Sequence, residues 1–281
     1  MTSPDAPELT NPRSERVKAV RALSGRSVRL RTGRFLVEGP QSVREAVGEV
    51  PDRVRDLYVS GAARSRHPHI VDAAVTARLR VHVATDEVVD AMSPDAQGIL
   101  AVVRTHDAGL PGLLAAAPRL VAVLARVRDP GNAGTVIRAA DAAGAHGVVL
   151  TAESVDVHNP KVVRSTAGSL FHLPVTAGAT LAETTAGLRA AGLTVLAADG
   201  SGEHDLDDLL DVAGSAAAQA GVPDLARPTA WVFGNEAWGL PESDRALADA
   251  VVRVPIRGRA ESLNLATAAT VCLYASSRAQ R

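Results

Sequence analysis

Aromatic side chains are scarce, with three phenylalanines, two tyrosines and two tryptophans in 281 residues. Packing must rest on alanine and the aliphatic residues that lift the hydrophobic content to 46%. The same scarcity argues against stacking on exposed aromatics as the main way of holding single-stranded RNA. Cysteine is nearly absent. Cys272 stands alone, which excludes an internal disulfide framework and suits a reducing compartment. It falls in an expected helix, where a buried and inert thiol fits better than a nucleophile. No apolar run approaches the ~20 residues of a membrane helix, and the polar start, Met1 to Thr10, lacks the apolar core of a signal peptide. A soluble, cytoplasmic protein with no membrane partner is expected. The eight histidines are scattered and no cysteine cluster exists, so no metal site is expected.

Net charge is −1, which argues neither for nor against nucleic acid. Its distribution is more informative. Arg13, Arg16, Lys18, Arg21, Arg26, Arg29, Arg31 and Arg34 are opposed only by Glu15. Such a run suits phosphate neutralisation, with Arg26, Arg29 and Arg31 as candidate RNA contacts, and it also suits a solvated helix face. The chain length favours two domains. Strands at 35–39, 54–59, 81–83 and 97–103 alternate with helical stretches, which indicates a small α/β domain over 12–105. Residues 106–118 read as a linker from Gly109, Pro111 and Gly112. Alternation restarts over 119–281, interrupted at 200–228 by an aspartate-rich, then Ala/Gly/Ser/Pro-rich, stretch expected to be irregular.

Three segments of this second half carry candidate chemistry. In the first, RVRDPGNAGTVIR, a strand ends, a turn follows, and a helix begins with Asn132 placed to cap it. Arg138 projects from nearly the opposite side to the apolar face, where it suits a phosphate-bearing substrate. In the second, WVFGNEAWGL, a buried strand runs into Gly234, whose missing Cβ lets a ligand approach the backbone. In the third, VPIRGRAESLNLA, a glycine-containing loop leads to Ser262, a candidate cap of the terminal helix, and to Asn264 in its first turn. Each segment alone reads more simply as a turn or a cap. All three, however, sit at the carboxyl ends of strands, where open α/β sheets bind ligands.

The ordered set DPGNAGTVIRAADAAG, FGNEAWGL and VPIRGRAESLNLATAA resembles the three motifs of the SpoU/TrmH family of RNA ribose 2′-O-methyltransferases. NPKVVRS, with Gly168, Phe171 and Pro174, resembles the family's intermediate segment. FLVEGPQSVREA and QGILAVV are similar to the ribosomal-protein-like substrate-binding domain often attached to these enzymes. The resemblance implies a C-terminal trefoil-knotted α/β (SPOUT) domain and a homodimer. It also implies S-adenosylmethionine as methyl donor, released as S-adenosylhomocysteine, without a metal. Residues matching cofactor positions are Gly234, Val254, Ile256 and Leu263. Those matching catalytic positions are Arg138, Asn132, Glu236, Ser262 and Asn264. Ribosomal RNA is the expected substrate. Transfer RNA, a non-catalytic RNA-binding role and an unrelated nucleotide-binding enzyme are the alternatives, although DPGNAG makes a poor phosphate-cradling loop.

Overall fold

A computed structural model describes residues 8–215, 221–235 and 237–281, so Glu236 lies outside the described residues. The chain divides into two compact units. One runs to His106 and also takes in His158–His172; the other comprises Asp107–Val157 and Leu173–Arg281.

In the first unit, α1 (Glu15–Arg21) is capped by the Ser14 side chain, which accepts from the Val17 amide. After a 3-10 turn at Ala22–Ser24 come α2 (Arg26–Thr32), β1 (Arg34–Glu38), α3 (Pro40–Glu49) and β2 (Val54–Ser60). Then follow α4 (Gly61–Arg66), α5 (Pro68–Thr76), β3 (Val81–Ala84), α6 (Asp86–Met92) and β4 (Ile99–Arg104). The sheet order is β1-β4-β2-β3, with β4 antiparallel to both neighbours and β2 parallel to β3. Strand alternation builds a core on each face. Phe35, Val37, Leu57 and Ala101 pack with α3 and α5, whereas Leu36, Tyr58, Leu100 and Val102 pack with α1 and α6.

The second unit begins with α7 (Gly109–Ala115), whose buried Leu113 joins its core, so the segment read as a linker holds a packed helix. β5 (Leu120–Leu124), α8 (Pro130–Ala142) and β6 (Gly147–Leu150) follow. The chain then enters the first unit. There α9 (Pro160–Ser165) and a 3-10 turn at Ser169–Phe171 place Val163 and Phe171 in the core beside Phe35. Gly168 holds a φ of +106°, and a Cβ on it would lie 2.3 Å from Glu45 Cγ on α3, so only glycine fits that crossing. Arg164 pairs with the buried Glu38, which also accepts from Ser93 Oγ, and with Asp95 at 3.0 Å.

The second unit resumes with β7 (Val175–Ala177), α10 (Leu181–Ala190) and β8 (Thr194–Ala198). Next are β9 (His204–Asp205), α11 (Leu206–Asp211), β10 (Thr229–Phe233), α12 (Glu242–Arg245), β11 (Ala250–Arg253) and α13 (Leu265–Ala279). The stretch expected to be irregular therefore supplies a strand and a helix, which buries Leu206 and Leu209. The sheet is parallel throughout, in the order β7-β6-β5-β10-β8-β11-β9. β10 thus slots between β5 and β8, both earlier in the chain. α13 covers β10, and its buried Ser276 Oγ accepts from Trp231 Nε1 at 2.8 Å. Cys272 is fully buried in the same helix, and burial pushes its thiol well above the usual range.

Candidate active site

A cleft of about 350 Å³ opens at the carboxyl ends of β8, β10 and β11, the position where parallel sheets present ligand sites. Ala198, Asp199 and Gly200 enter it from the end of β8, and Phe233, Gly234, Asn235 and Gly239 from the end of β10 and the loop that follows. Val254 and Ile256 follow β11, and Glu261, Ser262 and Leu263, just before α13, close it together with Leu265 and Ala268 on that helix. The four residues matched to cofactor contacts, Gly234, Val254, Ile256 and Leu263, therefore lie together on one wall system.

The loop after β10 folds back on itself. Asn235 and Gly239 exchange backbone hydrogen bonds of 3.1 and 2.9 Å. A Cβ on Gly234 would lie 2.4 Å from the Gly239 carbonyl carbon and 2.7 Å from the Leu240 nitrogen. The glycine is thus required by the loop's own backbone, rather than by the approach of a ligand as its position in the sequence suggests. Asn235 is buried; its Oδ1 accepts from the Ala237 amide, and its Nδ2 donates to the Arg126 carbonyl at 2.9 Å. Arg126 in turn forms an ion pair with Asp244. The loops after β5 and β10 are thereby fixed to each other.

Asp199 also lines the cleft, and its composition-biased neighbours from residue 200 onward hide it in the sequence. A polar residue directly after a buried strand was the available signal. Its Oδ1 accepts from the Ser201 amide (2.9 Å) and hydroxyl (2.7 Å), and Arg245 lies 3.7 Å away. Partial burial pushes its carboxyl up, but the Ser201 and Leu240 hydrogen bonds and the Arg245 charge outweigh this and hold it below the usual carboxylate value.

The candidate catalytic residues fall in different places. The N-cap of α8 is Asp129, whose Oδ1 accepts from the Asn132 amide at 2.7 Å, so Asn132 does not cap that helix. Its side-chain Oδ1 accepts from Asn264 Nδ2 at 3.1 Å, which joins the first and third motifs. Asn264, in turn, is the N-cap of α13, accepting from the Ala266 and Thr267 amides; Ser262 is two residues outside the helix, exposed on the cleft. Arg138 lies on the exposed side of α8 with Thr135, and among the described residues it has no hydrogen-bond or ionic partner. Of the three arginines expected at RNA, Arg26 and Arg31 are exposed. Arg29 is not: it is 4% exposed and donates to the carbonyls of Leu23 (2.9 Å) and Ser24 (2.6 Å). The 3-10 turn at Ala22–Ser24 and the extended Gly25 separate α1 from α2, so the basic run is not one continuous α-helix.

The cleft fits S-adenosylmethionine. Its Phe233, Val254, Ile256 and Leu265 offer an apolar seat for a purine, the strand ends offer backbone groups, and the volume lies in the range of small-molecule pockets.

The SpoU rRNA Methylase family model matches residues 119–274, and an MRM3-like substrate binding domain model matches residues 14–101. The chain is 33% identical to a 23S rRNA (uridine(2479)-2′-O)-methyltransferase of Streptomyces viridochromogenes, over 98% of this chain and 93% of that protein. It is 31% identical to a 23S rRNA (guanosine(2553)-2′-O)-methyltransferase of Bacillus subtilis, over 95% and 98% respectively. The crystal structure of an AdoMet-bound rRNA methyltransferase from Sinorhizobium meliloti superposes with a TM-score of 0.78 at 29% identity, covering 96% of this chain and 97% of that one. Motifs, sheet and whole-length similarity agree, and the chain belongs to the SpoU rRNA methylase family.

Proposed function

We propose that this protein transfers a methyl group from S-adenosylmethionine to a ribose 2′-hydroxyl of ribosomal RNA. The observation that carries the reading is the Asn132–Asn264 hydrogen bond, which joins the helix bearing Arg138 to the wall of the cofactor cleft. The named relatives act on 23S rRNA, which favours ribosomal over transfer RNA, and a cytoplasmic location suits that substrate. When bound, the cofactor supplies a methyl group already activated by its sulfonium charge, so the protein's task is positioning and proton removal.

Gly234, Val254, Ile256 and Leu263 hold the cofactor, while Ser262, Asn264 and Asn132 align the ribose. Glu236, matched to the family by sequence, completes the set. The exposed guanidinium of Arg138 clamps the RNA phosphate and orients the hydroxyl. A guanidinium is a poor base, whereas its fork of donors suits a phosphate. A homodimer accords with the exposed apolar stripe of Val271 and Tyr274 on α13, beside the exposed face of α8. The late insertion of β10 between β5 and β8 supports the trefoil knot.

Single-turnover methylation of an unmodified 23S rRNA transcript tests the assignment. Arg138→Ala is expected to lose at least a hundredfold in rate, about the loss of a positioned charge-assisted contact, while binding S-adenosylmethionine normally. Near-normal turnover at saturating RNA would remove Arg138 from the mechanism.

A further inference from the structure

Of the seven aromatic side chains in the sequence, five are buried: Phe35, Tyr58, Phe171, Trp231 and Phe233. Tyr274 lies along the surface of α13 with its hydroxyl donating to the Ala142 carbonyl. Trp238 is different. It is 53% exposed on the turn that Asn235 and Gly239 close, one residue from the cleft wall. A tryptophan there adds nothing to the core of its unit, and a small polar residue would serve the turn equally well.

The indole has one layer already in place. The guanidinium of Arg128 lies over the ring, its Cζ 5.5 Å from the centroid, within cation–π range. Arg128 belongs to the loop after β5, one residue before the Asp129 cap of α8, and is itself exposed. The Asn235–Arg126 hydrogen bond ties the same two loops together. A planar cation and an indole are therefore held as a pair between the segment bearing Asn132 and the segment bearing Gly234. Both groups are surfaces on which unpaired nucleobases stack.

We infer that Trp238, braced by Arg128, is the stacking platform for an unpaired base of the RNA segment presented to the cleft. The inference rests on the RNA methyltransferase reading and adds to it the substrate feature recognised, a base splayed out of its helix. One platform of this kind does not conflict with the poverty in aromatics, since phosphate contacts still carry overall affinity. Stacking on every base type is tolerated, so the contact positions the nucleotide without reading its identity.

The two tryptophans make the test direct. Trp231 is fully buried, so fluorescence quenching by an added solute reports Trp238. The probes are a short single-stranded RNA and the same ribose-phosphate backbone without bases. The base-bearing probe is expected to quench the wild-type protein, the base-free one to leave it unchanged, and neither to quench Trp238→Phe beyond its Trp231 background. In methylation of a 23S rRNA transcript, Trp238→Ala is expected to raise the KM for RNA about tenfold, the loss of one stacked base. Trp238→Phe is expected to recover most of it, and S-adenosylmethionine affinity to stay at the wild-type value in both. Equal quenching by both probes, or an unchanged KM in Trp238→Ala, overturns the platform. A wild-type protein that is quenched by bases but methylates no ribosomal RNA overturns the functional reading instead.

Discussion

Replacing Gly234 by alanine perturbs one atom with a calculable consequence. The added Cβ would sit 2.4 Å from the Gly239 carbonyl carbon, 2.5 Å from its oxygen and 2.7 Å from the Leu240 nitrogen, where ordinary contact begins near 3.4 Å. All three are backbone atoms, so no side chain can swing aside, and the returning arm must retreat by about 1 Å. That displacement takes the 3.1 and 2.9 Å hydrogen bonds between Asn235 and Gly239 beyond hydrogen-bonding distance. Two lost bonds at about 0.5–1.5 kcal/mol each give about 1–3 kcal/mol, the same range as overpacking a filled core. For a unit of this size the melting temperature should fall by about 2–12 °C. Because the same arm forms one wall of the cleft, calorimetric affinity for S-adenosylmethionine should weaken at least tenfold, the factor set by 1.4 kcal/mol. Gly200→Ala is the control: it also lines the cleft, but its Cβ would meet nothing within 4 Å. A Gly234→Ala protein with both wild-type melting temperature and wild-type cofactor affinity would refute the steric account.

Two further outcomes separate structural from functional charges. Charge reversal of Arg26 and Arg31 should weaken RNA binding and flatten its dependence on salt, measured by filter binding across a salt series, with thermal stability unchanged. Arg29→Ala should instead lower the melting temperature, because it leaves the carbonyls of Leu23 and Ser24 without their buried donor; the loss is about 1–3 kcal/mol. Asp199 has a pH signature. Its carboxyl is held below the ordinary value, so its contribution to stability is complete above about pH 4 and is lost as pH falls through the lower folded-state value. Melting temperature followed through that acid range should fall less steeply in Asp199→Asn than in wild type, and parallel slopes would exclude Asp199 as a source of acid sensitivity.

The segments that carry the candidate site are legible in the chain because strand, turn and helix leave distinct marks at 120–138, 229–240 and 250–266. What misleads is the choice among neighbouring polar residues. Asn132 and Ser262 are good caps by type, yet Asp129 and Asn264 hold those positions. Pro130 was the usable clue for the first, since proline favours the first helical position and so designates the residue before it as the cap. No equivalent mark distinguishes Ser262 from Asn264. Arg29 is buried for a different reason: Ala22–Ser24 and the extended Gly25 break the helix without a proline, so helical spacing does not carry across the basic run. Helices α7 and α11 were overlooked because glycine, proline and aspartate suggested loops, whereas Leu113, Leu206 and Leu209 each found a core. In the sequence Trp238 reads only as a modest variation on the second motif, because exposure cannot be read from a chain.

The crossing of His158–His172 into the first unit has a consequence for the order in which the protein assembles on the ribosome. Val163 and Phe171 belong to the core around Phe35, and Arg164 neutralises the buried Glu38. A nascent chain that has emerged as far as His106 therefore holds a sheet with part of its covering missing and a carboxylate without its counter-ion. It must wait through 66 further residues, from His106 to His172, about 3–13 s at ordinary elongation rates. During that interval β5, α8 and β6 have already been made. Completion of the N-terminal unit is thus timed to the synthesis of the second one, and a chain that stops at His106 lacks Val163 and Phe171 in that core and Arg164 beside Glu38.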